Sequence, residues 1–440
     1  MIRSDHLGVS SIVRELNLTD NSYKLMLDFF RSGGWYVVQL RDTWLSILKH
    51  CGFLIVFAER YVMIGDGVKA AKEGRRMPGV KRLHQESDNS GKGEYIFGHH
   101  FGGLGILAGN AKKLYSVLIS ARLHEGIAAP GKWLDQEEHK EDTHIVKMIC
   151  DAGAAAAKLG KSILLLDRLF LTVSMLKALA ENPLLCVVTK AKSNAVAFLP
   201  PGEYKGRGAR AKKGARVKLA DLFESHAALF SEETLVLYGK ATKTRYYCVN
   251  LHWGKGWYQP LRFVLTDIDG VQSILVSTDL TLSPTEIILL YTRRFKIECA
   301  FRELKQVVAG FAYRFWCKSM PKLGKYKKNE ANEAELLAVS DSTARKRIKA
   351  TIHAIEGFVQ ISIIALGLLQ LISLKFGDVV NSRRRFMRTI TSTVPSERTV
   401  ADYIRKNLYC FLLKTPEFML TTIIKSKQLA FSDSDFDHVA

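Results

Sequence analysis

The stretch that decides most about this chain is YTRRFKIECAFRELK, residues Tyr291–Lys305. Four of its polar residues share one stripe of a predicted helix: Tyr291, Arg294, Glu298 and Lys305. At about 100° per residue they lie within about 60° of one another, with Arg302 at the edge of the stripe. The preceding Ser283-Pro284-Thr285-Glu286 is a capping box with proline at the first helical position, and Gly310 is a predicted stop. We therefore expect one helix between these points.

This polar stripe has two interpretations. It places one carboxylate, Glu298, among cations and a phenol. A carboxylate can hold a divalent cation, and cations and a phenol can hold phosphate oxygens. The simpler alternative is a solvated helix face on which Glu298 forms ion pairs with Arg294 and Arg302, four residues to either side.

Composition restricts the class of protein. The 440 residues contain 64 Lys plus Arg against 43 Asp plus Glu, a formal net charge of +21, which favours a nucleic acid or an anionic membrane surface as partner. A hydrophobic share of 47% is that of a globular protein. The seven cysteines include no C-x-x-C pair, so we expect reduced thiols in a cytoplasmic protein. The apolar stretch 355–376 has polar residues near both ends, and we interpret it as a buried helix, with no membrane as partner.

The order of predicted elements indicates a mixed α/β sheet flanked by helices. Residues 1–50 are expected to be helical. Apolar stretches predict strands at 53–64, 94–107, 114–122, 162–166 and 184–189, with helices at 137–160 and 175–181. Period-2 segments predict further strands at 234–238, 245–250, 261–266 and 272–277, and Asp269-Gly270 predicts a hairpin turn. A helical region follows Gly310.

Two basic segments stand apart from these elements. Residues 202–218 hold seven Lys or Arg and four Gly, which predicts a flexible loop. Such a loop either follows a DNA backbone or is only an exposed linker, and the sequence favours neither. A second basic patch lies at Arg383-Arg384-Arg385 and Arg388 in the C-terminal region.

Two aspartates share a context that suits a site. Asp66 and Asp167 each follow a strongly apolar strand. Because the carboxyl ends of central strands meet in one crevice of an α/β sheet, Glu298 on its helix could join them there. A single aspartate at a strand end more often caps the next helix or a turn, and Asp267, Asp269 and Asp279 also follow predicted strands.

Three carboxylates at one point would repel one another, which raises at least one pKa. Divalent cations remove that cost, and hard oxygen ligands suit Mg²⁺, with Mn²⁺ as a substitute. Two such ions about 3.5–4 Å apart can activate a water or a 3′-hydroxyl against a phosphodiester. Asp66, Asp167 and Glu298 could together form a site of this kind.

In these motifs the chain resembles the DDE transposases of bacterial insertion sequences, on the branch named for insertion sequence four. The branch has a Y-x2-R-x3-E-x6-K signature, matched by Tyr291, Arg294, Glu298 and Lys305. Its second carboxylate often lies in D-R-G-F, where this chain has Asp167-Arg168-Leu169-Phe170, with Leu169 in place of the usual Gly. Its first carboxylate matches Asp66 in Ile-Gly-Asp-Gly. The resemblance covers roughly residues 55–310.

The resemblance implies an RNase H-like α/β core, interrupted by a β-rich insertion, with helical N- and C-terminal regions. It divides the chain into five parts: 1–52, an N-terminal helical region with a possible role in binding DNA ends; 53–192, the first part of the core; 193–262, the insertion with the basic loop; 263–312, the last part of the core; and 313–440, the C-terminal helical region. It also implies a homodimer on DNA and a location in the bacterial cytoplasm, associated with the nucleoid.

The resemblance further implies roles for individual residues. The acids Asp66, Asp167 and Glu298 would bind two Mg²⁺, and the cationic and phenolic side chains of the signature, with Arg302, would grip phosphates near the cut. Relatives cleave through a hairpin at the transposon end, and some stack a flipped base on an aromatic residue of the insertion. Trp253 and Trp257 are candidates for that contact, although packing between strands explains both as well. The adjacent His99 and His100 are expected to be a packed or exposed pair rather than metal ligands.

The expected function is therefore cut-and-paste transposition: binding of the inverted repeats at the transposon ends, cleavage of both strands, and joining of the 3′ ends to target DNA. Two alternatives remain open from the sequence. One is an RNase H-like nuclease that hydrolyses without strand transfer, and the other is a decayed or domesticated protein that only binds DNA.

Overall fold

The computed structural model describes residue 5 and residues 8–85, 93–127, 130, 133, 143–203, 206, 209–383 and 394–428. Its α-helices are α1 Val9–Glu15, α2 Asn21–Arg31, α3 Val37–His50, α4 His144–Leu159, α5 Val173–Ala180, α6 Leu222–Ser225, α7 Pro284–Thr292, α8 Lys296–Gln306, α9 Asn329–Leu337, α10 Ser342–Lys375, α11 Gly377–Ser382, α12 Glu397–Lys414 and α13 Met419–Lys427. Its strands are β1 Val56–Phe57, β2 Arg60–Ala71, β3 Lys81–His84, β4 Tyr95–Gly109, β5 Leu114–Leu123, β6 Ser162–Leu165, β7 Leu185–Lys190, β8 Val196–Phe198, β9 Arg216–Lys218, β10 Ser231–Leu237, β11 Lys240–Trp253, β12 Gln259–Ile268 and β13 Val271–Ser277.

The thirteen described strands form one mixed sheet. Its central path runs β3-β4-β2-β6-β7-β13-β12-β11-β8-β9, with β5 also paired to β4, β1 to β2, and β10 to β11. The two pairings of β6, with β2 and with β7, are parallel, and the others are antiparallel. The predicted mixed α/β sheet with flanking helices is therefore confirmed.

Alternation along β2 divides the core between the two faces of the sheet. Val62 and Ile64 belong to the same buried cluster as Phe301 of α8, whereas Met63 belongs to the cluster that contains Met148 of α4. One face is thus covered by α8 and much of α10, and the other by α4 and α5. A side chain at an even-numbered position of β2 lies on the α8 face.

The long helix α10 is a core helix. It is long and apolar enough to cross a membrane, but 61% of its most apolar stretch is buried inside the protein, against β5, α2 and α3. Two glycines permit this close packing: a Cβ on Gly357 would lie 2.3 Å from the Trp35 ring, and one on Gly367 would lie 2.3 Å from the Trp44 ring. The interpretation of 355–376 as a buried helix is confirmed.

Four local predictions differ from the structure. The first strand does not stop at Gly65-Asp66-Gly67 but continues to Ala71, because β4 pairs with it along this whole length. The helix expected from Ser283 to Gly310 breaks at Arg293–Phe295, where the backbone makes i→i−3 hydrogen bonds and so tightens into a turn. Residues 216–218 of the predicted basic loop form β9 on β8. The domain boundary placed at 262 falls inside β12.

Some predictions fall partly or wholly outside the described residues. They concern residues 137–142 of the predicted helix 137–160, Lys205 and Arg207 of the basic loop, and Arg384, Arg385 and Arg388 of the C-terminal patch.

Candidate active site

Asp66 lies in β2, and Asp167 lies level with it just beyond the end of the neighbouring strand β6. In the parallel pair β2–β6, partners such as Tyr61 and Ser162 differ by 101 in residue number, and so do Asp66 and Asp167. Asp167 lies two residues beyond the end of β6, whose last residue, Leu165, pairs with Ile64. In-register residues of parallel strands point to the same face of the sheet. Both carboxylates therefore lie on the face that α8 covers.

The ring of Phe301 packs α8 onto the sheet beside Asp66. Gly103 of β4 is the register partner of Asp66. A Cβ at Gly103 would lie 2.5 Å from Cζ of Phe301, so the ring rests directly on the glycine backbone. Glu298 is three residues before Phe301 and shares that side of the helix. Its side chain is 42% exposed, against 24% for Asp66.

Arg294 joins the carboxylates. Its Nη1 donates to Oδ2 of Asp66 at 3.3 Å, and its Nη2 donates to Oε1 of Glu298 at 2.7 Å. Asp167 also lies close enough to raise the pKa of Arg294, although burial opposes the rise. The expected Arg294–Glu298 pair is thus present, but it forms part of a larger cluster drawn from β2, the end of β6 and the α7–α8 region.

The electrostatics of Asp66 reflect this crowding. Burial raises the pKa of Asp66 from its usual 3.8 to about 6. Arg294 and the N–H of Gly67, which donates to Oδ1 at 2.8 Å, act in the opposite direction, and the charges of Asp167 and Glu298 add to the rise. A raised carboxyl pKa means that the ionised form is unfavourable here unless further positive charge is supplied.

An open cavity of about 620 Å³ adjoins the cluster. Asp167, Tyr291 and Arg294 line it. Tyr291 is half-buried, and burial raises its pKa to about 12, so its hydroxyl is a hydrogen-bond donor at neutral pH. The predicted proximity of the tyrosine, the arginine and the acids is therefore present in the structure despite the helix break.

Four further residues, none of them predicted as a site residue, line the same cavity: Arg168, Lys190, Tyr238 and Phe295. Arg168 directly follows Asp167, and Lys190 ends β7. Tyr238 forms the turn between β10 and β11 with Gly239, and both have positive φ (51° and 82°). The Tyr238 side chain is exposed. The signal in the sequence was the Tyr-Gly pair, which marks a tight turn because only a few residue types adopt a positive φ readily.

The other predicted site residues make their contacts outside this cluster. Arg302 pairs with Glu303 instead of Glu298 and is exposed, and Lys305 is exposed on α8 beyond it. Trp253 packs against the core on the α4 face at the end of β11. Trp257 is exposed in the turn that follows, where its Nε1 donates to Oε1 of Gln259 at 3.0 Å.

Rival residues have structural partners. Asp279 pairs with Arg60 at 2.5 Å and accepts from the backbone N–H of Thr281, so it fixes the loop before α7. His99 is buried between the hydroxyl of Tyr313 and the carbonyl of Pro78, whereas His100 bonds to Glu125. Both histidines are therefore buried, each with its own hydrogen-bond partners.

The donor set at the cluster fits a hard divalent cation in charge and chemistry. Its carboxylates repel one another, and the guanidinium of Arg294 lies between Asp66 and Glu298 where positive charge is needed. Across the described ranges, no three His, Cys, Asp or Glu side chains are already grouped tightly enough to hold one ion. Ion binding would therefore require Arg294 to swing away from these oxygens. Comparison with family models and with curated proteins finds no match to this chain.

Proposed function

We propose that this protein is a metal-dependent DDE transposase that cuts and joins DNA at the ends of an insertion sequence. The observation that carries the proposal is the convergence of Asp66, Asp167 and Glu298 on Arg294 at one face of the sheet. An acid cluster beside cations and a phenol is what phosphodiester chemistry requires, because charge develops on phosphate oxygens during the reaction.

The strand order supports an RNase H-like core within this proposal. Strands β5, β4, β2, β6 and β7 lie side by side in that order, the first three antiparallel and the last three parallel. Strands β13, β12, β11, β8 and β9, with β10 on β11, continue the sheet beyond β7, which is where an insertion into such a core would attach.

The roles proposed for the residues follow from their positions. Asp66, Asp167 and Glu298 would hold two Mg²⁺ ions, or Mn²⁺ in their place, which would supply a nucleophile and stabilise the leaving oxygen. Arg294 binds a phosphate oxygen once it is released from the acids, and Tyr291 donates a hydrogen bond to the same group. Lys305 and Arg302 contact the backbone farther along the DNA, and Trp253 and Trp257 remain candidates for contact with a base.

The partners proposed are double-stranded DNA, as transposon ends and as target, and a second copy of the chain when two ends are brought together. The net charge of +21 supports the first partner. A bacterial cytoplasmic location beside the nucleoid belongs to the same proposal.

Strand transfer tests the proposal. The substrate is a duplex made from the DNA that flanks the gene, ending in a 3′-hydroxyl, and it is incubated with a supercoiled plasmid and Mg²⁺. We expect joined products with the wild-type protein and none with Asp167→Asn. Asp267→Asn is the matched control, because Asp267 also lies on a strand but pairs with Arg245 outside the cavity.

The other outcomes reassign the function. Hydrolysis of the duplex without joining would support a nuclease, and binding without either reaction would support a protein that only binds DNA. Equal activity of Asp167→Asn and wild type would remove Asp167 from the catalytic cluster.

A further inference from the structure

A second basic surface lies on the extended segment that follows α8. From residue 313 to residue 318, burial alternates along the chain. Tyr313, Phe315 and Cys317 are buried, whereas Trp316 is 51% exposed and its cationic neighbours Arg314 and Lys318 are exposed. The alternation is that of an extended chain with one face in the core. It therefore displays an Arg–Trp–Lys row outward.

The core side holds this row rigidly. The ring of Phe315 packs against Phe30 and Phe358 with centroids 5.5 and 6.0 Å apart, and the Tyr313 hydroxyl bonds to His99 at 2.6 Å. The backbone N–H of Cys317 also donates to a carbonyl of the loop after β2 at 2.9 Å. The outward row is thus ordered before any ligand arrives, which lowers the entropic cost of binding.

The row forms one wall of a groove of about 520 Å³ between α2 and the start of α10. Two further cations complete it: Arg31 on α2, whose guanidinium lies 3.5 Å from the Trp316 carbonyl, and Arg347 on α10. Tyr23 adds a second exposed aromatic ring. None of the described residues that line the groove is acidic, and none lines the cavity beside Asp167.

We propose that this groove, between α2, the 313–318 segment and α10, binds the phosphate backbone of a nucleic acid strand away from the catalytic cluster. Four cations without a carboxylate suit a polyanion, and exposed aromatic rings between cations suit nucleic acid, because bases stack on them. From Arg314 to Lys318 an extended chain spans roughly 13 Å, which matches the axial rise of about four base pairs of a duplex. The inference goes beyond the catalytic proposal and does not depend on it.

Binding without divalent cations tests the groove alone. A random-sequence DNA duplex and its single strand are titrated across a NaCl series. The groove variant carries Arg314→Ser, Lys318→Ser and Arg347→Ser. The matched control carries Lys112→Ser, Lys406→Ser and Lys425→Ser, which removes the same charge from exposed positions elsewhere.

We expect the groove variant to bind both DNAs more weakly than the control. The slope of log affinity against log salt for the duplex should fall by about 0.9 for each phosphate that the variant no longer neutralises. Trp316→Ala, which leaves the buried side chains of the segment in place, should weaken single-strand binding at least about fivefold.

Equal affinity and equal salt slope of the groove variant and the control would overturn the inference, as would wild-type single-strand binding by Trp316→Ala. Polyglutamate is titrated as a second polyanion. If the groove variant keeps DNA binding but loses polyglutamate binding, the groove is assigned to an acidic protein instead. Because no metal or cleavage enters these measurements, their failure is separate from failure of the transposase proposal.

Discussion

Replacing Gly103 by alanine should disable the active site without touching an acid. A Cβ there would lie 2.5 Å from Cζ of Phe301, about 0.9 Å inside the 3.4 Å at which ordinary contact begins. The ring is buried, so α8 has to move by about that distance, and Glu298 moves with it. A misplacement of about 1 Å costs roughly 100-fold in rate. Overpacking a core costs about 1–3 kcal/mol of unfolding free energy.

Nicking of the flanking-DNA duplex in Mg²⁺ and urea unfolding measure these two effects. Gly33→Ala is the control, because a Cβ at Gly33 meets no atom within 4 Å. Adding Phe301→Leu to Gly103→Ala restores space and should recover part of the rate. Wild-type cleavage and stability in Gly103→Ala would refute the argument that this contact sets the position of Glu298.

Three other predictions concern the acids and cations directly. Asp66→Ala, Asp167→Ala and Glu298→Ala should each abolish nicking while DNA binding, measured by gel shift, stays close to wild type; cleavage by any of them excludes that residue. Without metal, the raised pKa of Asp66 makes the native state lose stability as pH rises through about 6. Asp66→Asn should therefore be more stable than wild type by ~1–3 kcal/mol at pH 8 and equally stable below about pH 4. Thermal unfolding in EDTA measures this difference, and a variant less stable than wild type at pH 8 would contradict the predicted sign. Arg294→Ala and Lys305→Ala should slow nicking more than they weaken binding, and Arg294→Lys should rescue only in part, since a lysine cannot bridge two groups with one planar fork; a rescue to full rate would argue against that contact.

The sheet strands and the face that carries the acid cluster were largely predictable because their signals are local. Strongly apolar runs predict buried strands, and β4 to β7 lie close to where those runs predict them. The capping box at Ser283 is also present, with its Ser283 and Glu286 hydrogen bonds both formed. The two aspartates differ in residue number by the same amount as the β2–β6 partners. That equality could have been suspected from the sequence, but only the register of the sheet shows that the aspartates lie level.

The features that sequence missed depend on tertiary contacts. Gly65-Asp66-Gly67 has the composition of a turn, yet β4 pairs with it and keeps it in the sheet. Helical periodicity did not predict the break at Arg293–Phe295, because the polar residues still lie together after the turn tightens. Lys190 and Tyr238 come from the edge of the core and from the insertion, and no spacing rule links them to Asp167.

Because the sheet is unbroken, the parts of the protein that line the cavity are held in fixed positions and do not close around a ligand. Ladder hydrogen bonds run from β7 through β13 and β12 to β11, so the hairpin that carries Tyr238 is tied to the strand beside Asp167 without a linker. Domain closure requires a few loop residues to absorb the change in backbone angles, and this connection through the sheet provides none. Under the proposed function, DNA would therefore have to bend or unpair to reach the acids, and sequences that deform easily at the cut should react fastest.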